Sequence, residues 1–193
     1  MGLITKQQLS KVTDHRKVHF SSGLGAVALL NESFNINKSY DIFLSHSYLD
    51  KEEIASLKIF LESFKLSVYV DWIDDHQLNR ENVTKETAVR IRERMKNCKS
   101  LIYAFSENSI NSKWMPWELG YFDGLKTRVA VLPISNSITD NFRGTEYVGM
   151  YPYITHNKIS GSLDEALWIR ENTNKYVIID SWLKGQNPIN RSL

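Results

Sequence analysis

Glu118 is the side chain whose surroundings in this sequence most invite chemistry. It ends the run SKWMPWE, Ser112 to Glu118, a few residues after the apolar stretch LIYAF, Leu101 to Phe105. Trp114, Trp117, Glu118, Tyr121 and Phe122 recur at helical spacing. Asn111 or Ser112 can cap that helix, and Pro116 is tolerated in its first turn. Glu118 therefore falls near a helix N-terminus, where the dipole favours an ionised carboxylate. An unbroken apolar run suits a strand buried on both faces of a parallel sheet. The carboxylate then lies at the carboxyl edge of that sheet, where open α/β sheets bind ligands. A carboxylate that merely complements the dipole would occupy the same position. Trp114 and Trp117 offer flat faces to a planar ligand, and tryptophans at helical spacing serve equally well as core.

Other reactive residues have less around them. Ser45, His46 and Ser47 follow the strand YDIFL, Tyr40 to Leu44, and border the same edge. His15 and His19 share a helical spacing, but no carboxylate or cysteine nearby completes a metal site, so they read as surface residues. Cys98 has no partnering motif and reads as a structural thiol. Neither G-x-G-x-x-G nor a Walker pattern occurs, which disfavours a Rossmann dehydrogenase and a P-loop nucleotidase. Arg90, Arg92, Arg94, Lys96 and Lys99 are balanced by Glu86 and Glu93 and read as a solvated face.

The elements that position these residues alternate. After YDIFL, Asp50 caps a helix, with Glu53 closing a capping box, that runs to Lys65. Ser67 to Trp72 is a second strand, Ile73 to Asn82 a polar loop, and a helix starts near Val83 or Thr84. LIYAF and the Glu118 helix follow, then a strand from Arg128 to Ile134 with Pro133 at its end, a polar connection from Ser135 to Gly149, and the short strand YPYIT. Ser162 or Asp164 opens a last helix through Arg170, and YVIID with SWL closes the chain as a strand or docking segment. Strand and helix in turn, joined by short links, call for a parallel sheet covered on both faces. Thr5 caps a helix through QQLSKVTDHRKV, with a second short helix after it. The expected organisation is an N-terminal helical extension (1–38), a main domain (39–155) and a C-terminal helix and strand tail (156–193).

The totals set bounds. In 193 residues, 42% hydrophobic and 24% charged, one core is the expectation. A net charge of +2 is too small to imply nucleic-acid binding by bulk electrostatics. One cysteine excludes an intrachain disulfide and gives no sign of secretion. GLGAVALL, Gly23 to Leu30, is too short to span a bilayer, and Asp14 among the preceding basic residues disfavours a signal peptide. A cytoplasmic protein is the simplest expectation.

YDIFLSHS after the first strand, Asp71 and Trp72 after the second, and SKWMPWEL after the third make residues 39–155 resemble the TIR domain. In enzymes of that family the glutamate of an S-x-W-x-x-x-E-L pattern is catalytic, and Ser112, Trp114, Glu118 and Leu119 fall on it position by position. The chain is most similar to the bacterial TIR proteins of Thoeris antiphage defence. The resemblance implies a flavodoxin-like sheet of five parallel strands in the order 2-1-3-4-5, LIYAF central. It also implies an NAD+ nucleosidase and ADP-ribosyl cyclase with Glu118 as catalytic residue. Ser45, His46, Ser47, Trp72, Ser112, Trp114 and Trp117 are the expected substrate contacts. NAD+ is the substrate, with no cofactor and no metal. The cyclic ADP-ribose isomer produced would activate a separate effector, ThsA, by diffusion. Self-association of TIR domains is a further expectation; nucleic acid and membrane are not expected partners. Met115, Pro116 and Trp117 replace the Cys-Leu-Asp of many plant relatives, so substrate contacts beside Glu118 are expected to differ. The alternative is a TIR adaptor without catalysis, assembling through loops such as Ile73 to Asn82.

One carboxylate suits this reaction. Glycosidases need two because an acid must protonate the leaving oxygen. Nicotinamide leaves a pyridinium as a neutral molecule, so what remains is to orient the ribose and stabilise an oxocarbenium-like centre, which an ionised Glu118 can do.

Overall fold

A computed structural model of the chain describes residues 2–12, 38–75, 84–136, 142, 144 and 146–191. The second N-terminal helix, the GLGAVALL segment, the His15 and His19 pair and most of the 73–82 loop lie outside the described residues.

The chain opens on a short strand, β1 (Ile4–Thr5), and a helical segment over residues 6–12, α1. Thr5 caps it, its Oγ1 accepting the Gln8 N–H at 3.2 Å. The main sheet follows with β2 (Tyr40–Ser45), α2 (Lys51–Glu62), β3 (Val68–Tyr69), α3 (Asp71–Asp74), α4 (Lys85–Lys96), β4 (Cys98–Phe105), α5 (Trp114–Lys126), β5 (Val129–Ser135) and β6 (Tyr153–Lys158). These five strands are parallel and lie in the order β3-β2-β4-β5-β6, the 2-1-3-4-5 order expected, with β4 at the centre. Alternation along each strand feeds two layers. Ile42, Leu44, Ile102, Ala104 and Leu132 pack with Ile54, Leu57 and Leu61 of α2. Phe43, Leu101, Tyr103 and Val131 pack with Ile91 and Met95 of α4 and with Met115, Leu119 and Phe122 of α5.

The helix expected over Ser162 to Arg170 is instead a strand, β7 (Glu165–Arg170), paired antiparallel with β6 over six residues. Glu, Ala and Leu favour a helix locally, but Gly161, at φ 78°, and the Ile159 to Asp164 reversal fold the segment back onto an open sheet edge. There Ala166, Leu167 and Ile169 are buried, and tertiary pairing overrides propensity. β8 (Lys175–Ile178), α6 (Ile179–Leu183) and β9 (Ile189–Asn190) continue this antiparallel extension, giving nine strands among the described residues.

Three local expectations are corrected. Pro133 does not end β5 but sits inside it. Val131 donates its N–H toward the β6 side, and alternation turns the N position of residue 133 the same way. At that level the sheet forks: β6 pairs β5 at Val131, whereas β1 pairs it at Ile134 and Ser135. Proline, with no N–H, fits the gap. The second strand is shorter than Ser67 to Trp72, because the Asp74 carboxylate takes the Val70 N–H at 2.7 Å and starts a helical turn. Asp50 precedes α2 but makes no side-chain cap bond; its carboxylate is used elsewhere.

Candidate active site

On α5 the residues turned inward are Met115, Glu118, Leu119 and Phe122, at spacings of three, one and three. Glu118 thus takes a position that helical periodicity assigns to the core, and its exposure is 0%. A carboxylate there needs donors. Ser45, the last residue of β2 and equally buried, donates its hydroxyl to Glu118 Oε2 at 2.6 Å. Tyr103 of β4 is the register partner of Ser45, so the two side chains share a face. Burial foremost, then the neighbouring Tyr147 and Glu118, push the Tyr103 phenol well above its ordinary value. Tyr103 and Tyr147 are site members that the sequence reading missed. For Tyr103 the available sign was a phenol inside a strand buried on both faces, since its hydroxyl requires a partner; Tyr147, in a 3-10 turn, carried no such sign.

His46, one residue beyond Ser45, belongs to the other layer. Its Nδ1 lies 2.9 Å from the Leu44 carbonyl oxygen and its Nε2 accepts the Trp72 indole N–H at 3.1 Å. An indole only donates and a carbonyl only accepts, which fixes the ring as the neutral Nδ1–H tautomer. Asp71 Oδ1 lies 3.7 Å from the same Nε2. Trp72 packs against the α2 layer, whereas Trp114 and Trp117 pack against the α5 layer that holds Glu118. On α5 the aromatic rings form a ladder, Trp114 edge-on to Trp117 at 5.2 Å and Trp117 stacked on Tyr121 at 5.9 Å. Ser112 Oγ accepts the Met115 N–H at 3.3 Å, a capping contact. Ser47 Oγ accepts the Leu49 N–H at 3.4 Å and starts a 3-10 turn, Tyr48–Asp50. The buried Asp50 then accepts Ser106 Oγ at 2.5 Å and Asn108 Nδ2 at 2.6 Å, joining the loop after β2 to the loop after β4. The structure therefore joins Ser45 to Glu118, sets Trp114 and Trp117 along the same helix, and pairs His46 with Trp72 on the opposite face of the sheet. Cys98 opens β4, buried, and burial pushes its thiol to about 12.

A family model described as Thoeris protein ThsB, TIR-like domain, matches residues 43–138. A Bacillus cereus (strain MSX-D12) protein named probable 3' cyclic ADP-D-ribose synthase ThsB' is 47% identical over 191 residues, 95% of this chain and 99% of that protein. The chain belongs to the Thoeris ThsB family. The putative cyclic ADP-D-ribose synthase TIR2 of Cytobacillus dafuensis is 36% identical over 93 residues, 47% of this chain and 24% of that protein. The probable 2' cyclic ADP-D-ribose synthase TcpO of Methanobrevibacter olleyae is 35% identical over 115 residues, 56% of this chain and 30% of that protein. Both relatives are much longer than this ThsB-family chain, so the stretch they share with it is a part of each. The TIR domain of the Toll-related receptor TRR-2 of Hydra magnipapillata overlaps with a TM-score of 0.38 at 19% identity, over 53% of this chain and 75% of that one.

Proposed function

We propose that this ThsB-family protein converts NAD+ into a cyclic ADP-ribose isomer in antiphage defence, with Glu118 as the catalytic carboxylate. The observation that carries this reading is the buried Ser45–Glu118 hydrogen bond at the carboxyl edge of the central strands. The synthase names of the relatives support the reaction class. The bond between ribose C1' and the pyridinium nitrogen breaks with its electron pair going to the nitrogen, so nicotinamide departs neutral. Glu118 stabilises the cationic ribose left behind. A hydroxyl of the adenosine ribose then bonds to C1' and passes its proton to the Glu118 carboxylate, which releases it to solvent; water competes for C1', and a closed site favours the ring. Trp114 and Trp117 supply stacking faces, while Ser112, Ser47, His46 and Trp72 shape the surrounding edge. The product activates a separate effector of the ThsA type by diffusion, within the cytoplasm, and the TIR domains associate with one another.

Glu118→Gln tests the assignment. Glutamine keeps the shape and loses the charge, so NAD+ turnover should fall a hundredfold or more, about 3 kcal/mol of barrier, with the melting temperature little changed. Turnover equal to wild type in a folded variant would end the catalytic assignment and favour an adaptor.

A further inference from the structure

We propose that Ser45 is a positioning residue, whose hydroxyl keeps Glu118 ionised and aimed, and is not a contact to the nucleotide. This inference rests on the reading of Glu118 as the catalytic carboxylate.

Both side chains are fully buried and joined at 2.6 Å, so the Ser45 hydroxyl is committed to Glu118 Oε2. Its place is fixed by strand pairing. Ser45 is the end of a six-residue strand and lies in register against Tyr103. A hydroxyl that donates to a carboxylate favours its charged form, whereas burial favours the neutral one. Between strands of a packed sheet, this donor opposes burial at the atom where the charge is needed. A protonated Glu118 would stabilise no cation, so losing the donor should show as loss of activity from the acid side.

The groups around the pair leave that readout assignable. Tyr103 of β4 faces the pair, and burial pushes its phenol upward, away from the acid range. Asp123, further along α5, is bonded by the Tyr151 hydroxyl at 3.0 Å. His46 follows Ser45 but turns to the other layer, where Trp72 and Asp71 face it. Asp50, in the loop after Ser45, is held by Ser106 and Asn108. The Ser45 hydroxyl bonds Glu118 and neither His46 nor Asp50, so an acid limb that moves with Ser45 belongs to Glu118.

The experiment is the pH dependence of kcat and kcat/KM for NAD+ consumption in wild type, Ser45→Ala and Ser45→Cys, with melting temperatures on the same preparations. Ser45→Ala should keep KM within about twofold, lower kcat about tenfold or more, and move the acid limb up by about one pH unit. Ser45→Cys keeps the side-chain shape, slightly enlarged, with a weaker donor and should fall between, which maintains the test if alanine unfolds the chain. A raised KM with kcat and acid limb unchanged would make Ser45 a substrate contact and overturn the inference. So would kinetics indistinguishable from wild type. If Glu118→Gln is inactive while the Ser45 variants keep the wild-type limb, this inference alone fails; if Glu118→Gln remains active, the underlying reading fails.

Discussion

A buried carboxylate on the inward stripe of α5 destabilises any fold that does not supply donors, so Glu118 and Ser45 are explained more readily by chemistry than by packing. The sequence exposed this much because carboxylate, tryptophan pair and helix start fall within one short run. It concealed the Ser45 contact, since 73 residues separate the partners and only the alignment of β2 with β4 brings them together. It also hid the role of His46, which depends on a tautomer set by Leu44 and Trp72. Trp72→Phe keeps an aromatic ring and deletes the indole donor, leaving a buried nitrogen without it. The expected cost is about 1 to 3 kcal/mol, measured by urea unfolding followed by circular dichroism. Unchanged stability would mean that the indole N–H is not bonded to His46 in solution.

Strand starts and strand ends are tied by separate polar clusters, and each cluster joins elements distant in sequence. At the carboxyl edge Asp50 links the loops after β2 and β4. At the opposite edge Asp41 of β2 accepts the Ser67 N–H at 2.8 Å, the Ser67 hydroxyl at 2.7 Å and Lys99 of β4 at 2.8 Å. Burial alone would raise the Asp41 pKa, but the bonds from Lys99 and Ser67 outweigh it and hold the carboxyl below its ordinary value. A lowered folded pKa stabilises at pH above the unfolded value, and that contribution is lost as pH falls through the folded value. Asp41→Asn should therefore cost about 1 to 2 kcal/mol at neutral pH, at the low end because Lys99 is largely exposed. The difference from wild type should close below about pH 4, measured as unfolding midpoints across pH. A gap that stayed constant into acid would refute the charged hydrogen bonds as its source. Such clusters are poorly legible in sequence, and so are β7 and the fork at Pro133. In each case a distant partner, not the local pattern, decides the outcome.

At the scale of the molecule, a parallel sheet and an antiparallel extension share one continuous set of strands, and β1 fills the fork between β5 and β6. Ile4 is buried there in the same layer as α2. Ile4→Ala should cost about 2 to 5 kcal/mol in global unfolding, as for other large-to-small core changes. A cost near zero would show that the fork is stable without β1. The alternating strand and helix pattern made the parallel half readable in advance. In the extension YVIID was legible as a strand, whereas β7 was not, because Glu165, Ala166 and Leu167 favour a helix and the open edge of β6 specifies the strand. The function proposed for the whole molecule is the synthesis of a cyclic ADP-ribose isomer, and product analysis tests it most directly. Nucleotides extracted from phage-infected cells expressing wild type or Glu118→Gln at equal levels would be separated and identified by mass. The account predicts a cyclic ADP-ribose isomer, with NAD+ depleted, in wild type only. Equal amounts of that isomer in both, or intact NAD+ without it in wild type, would contradict the account.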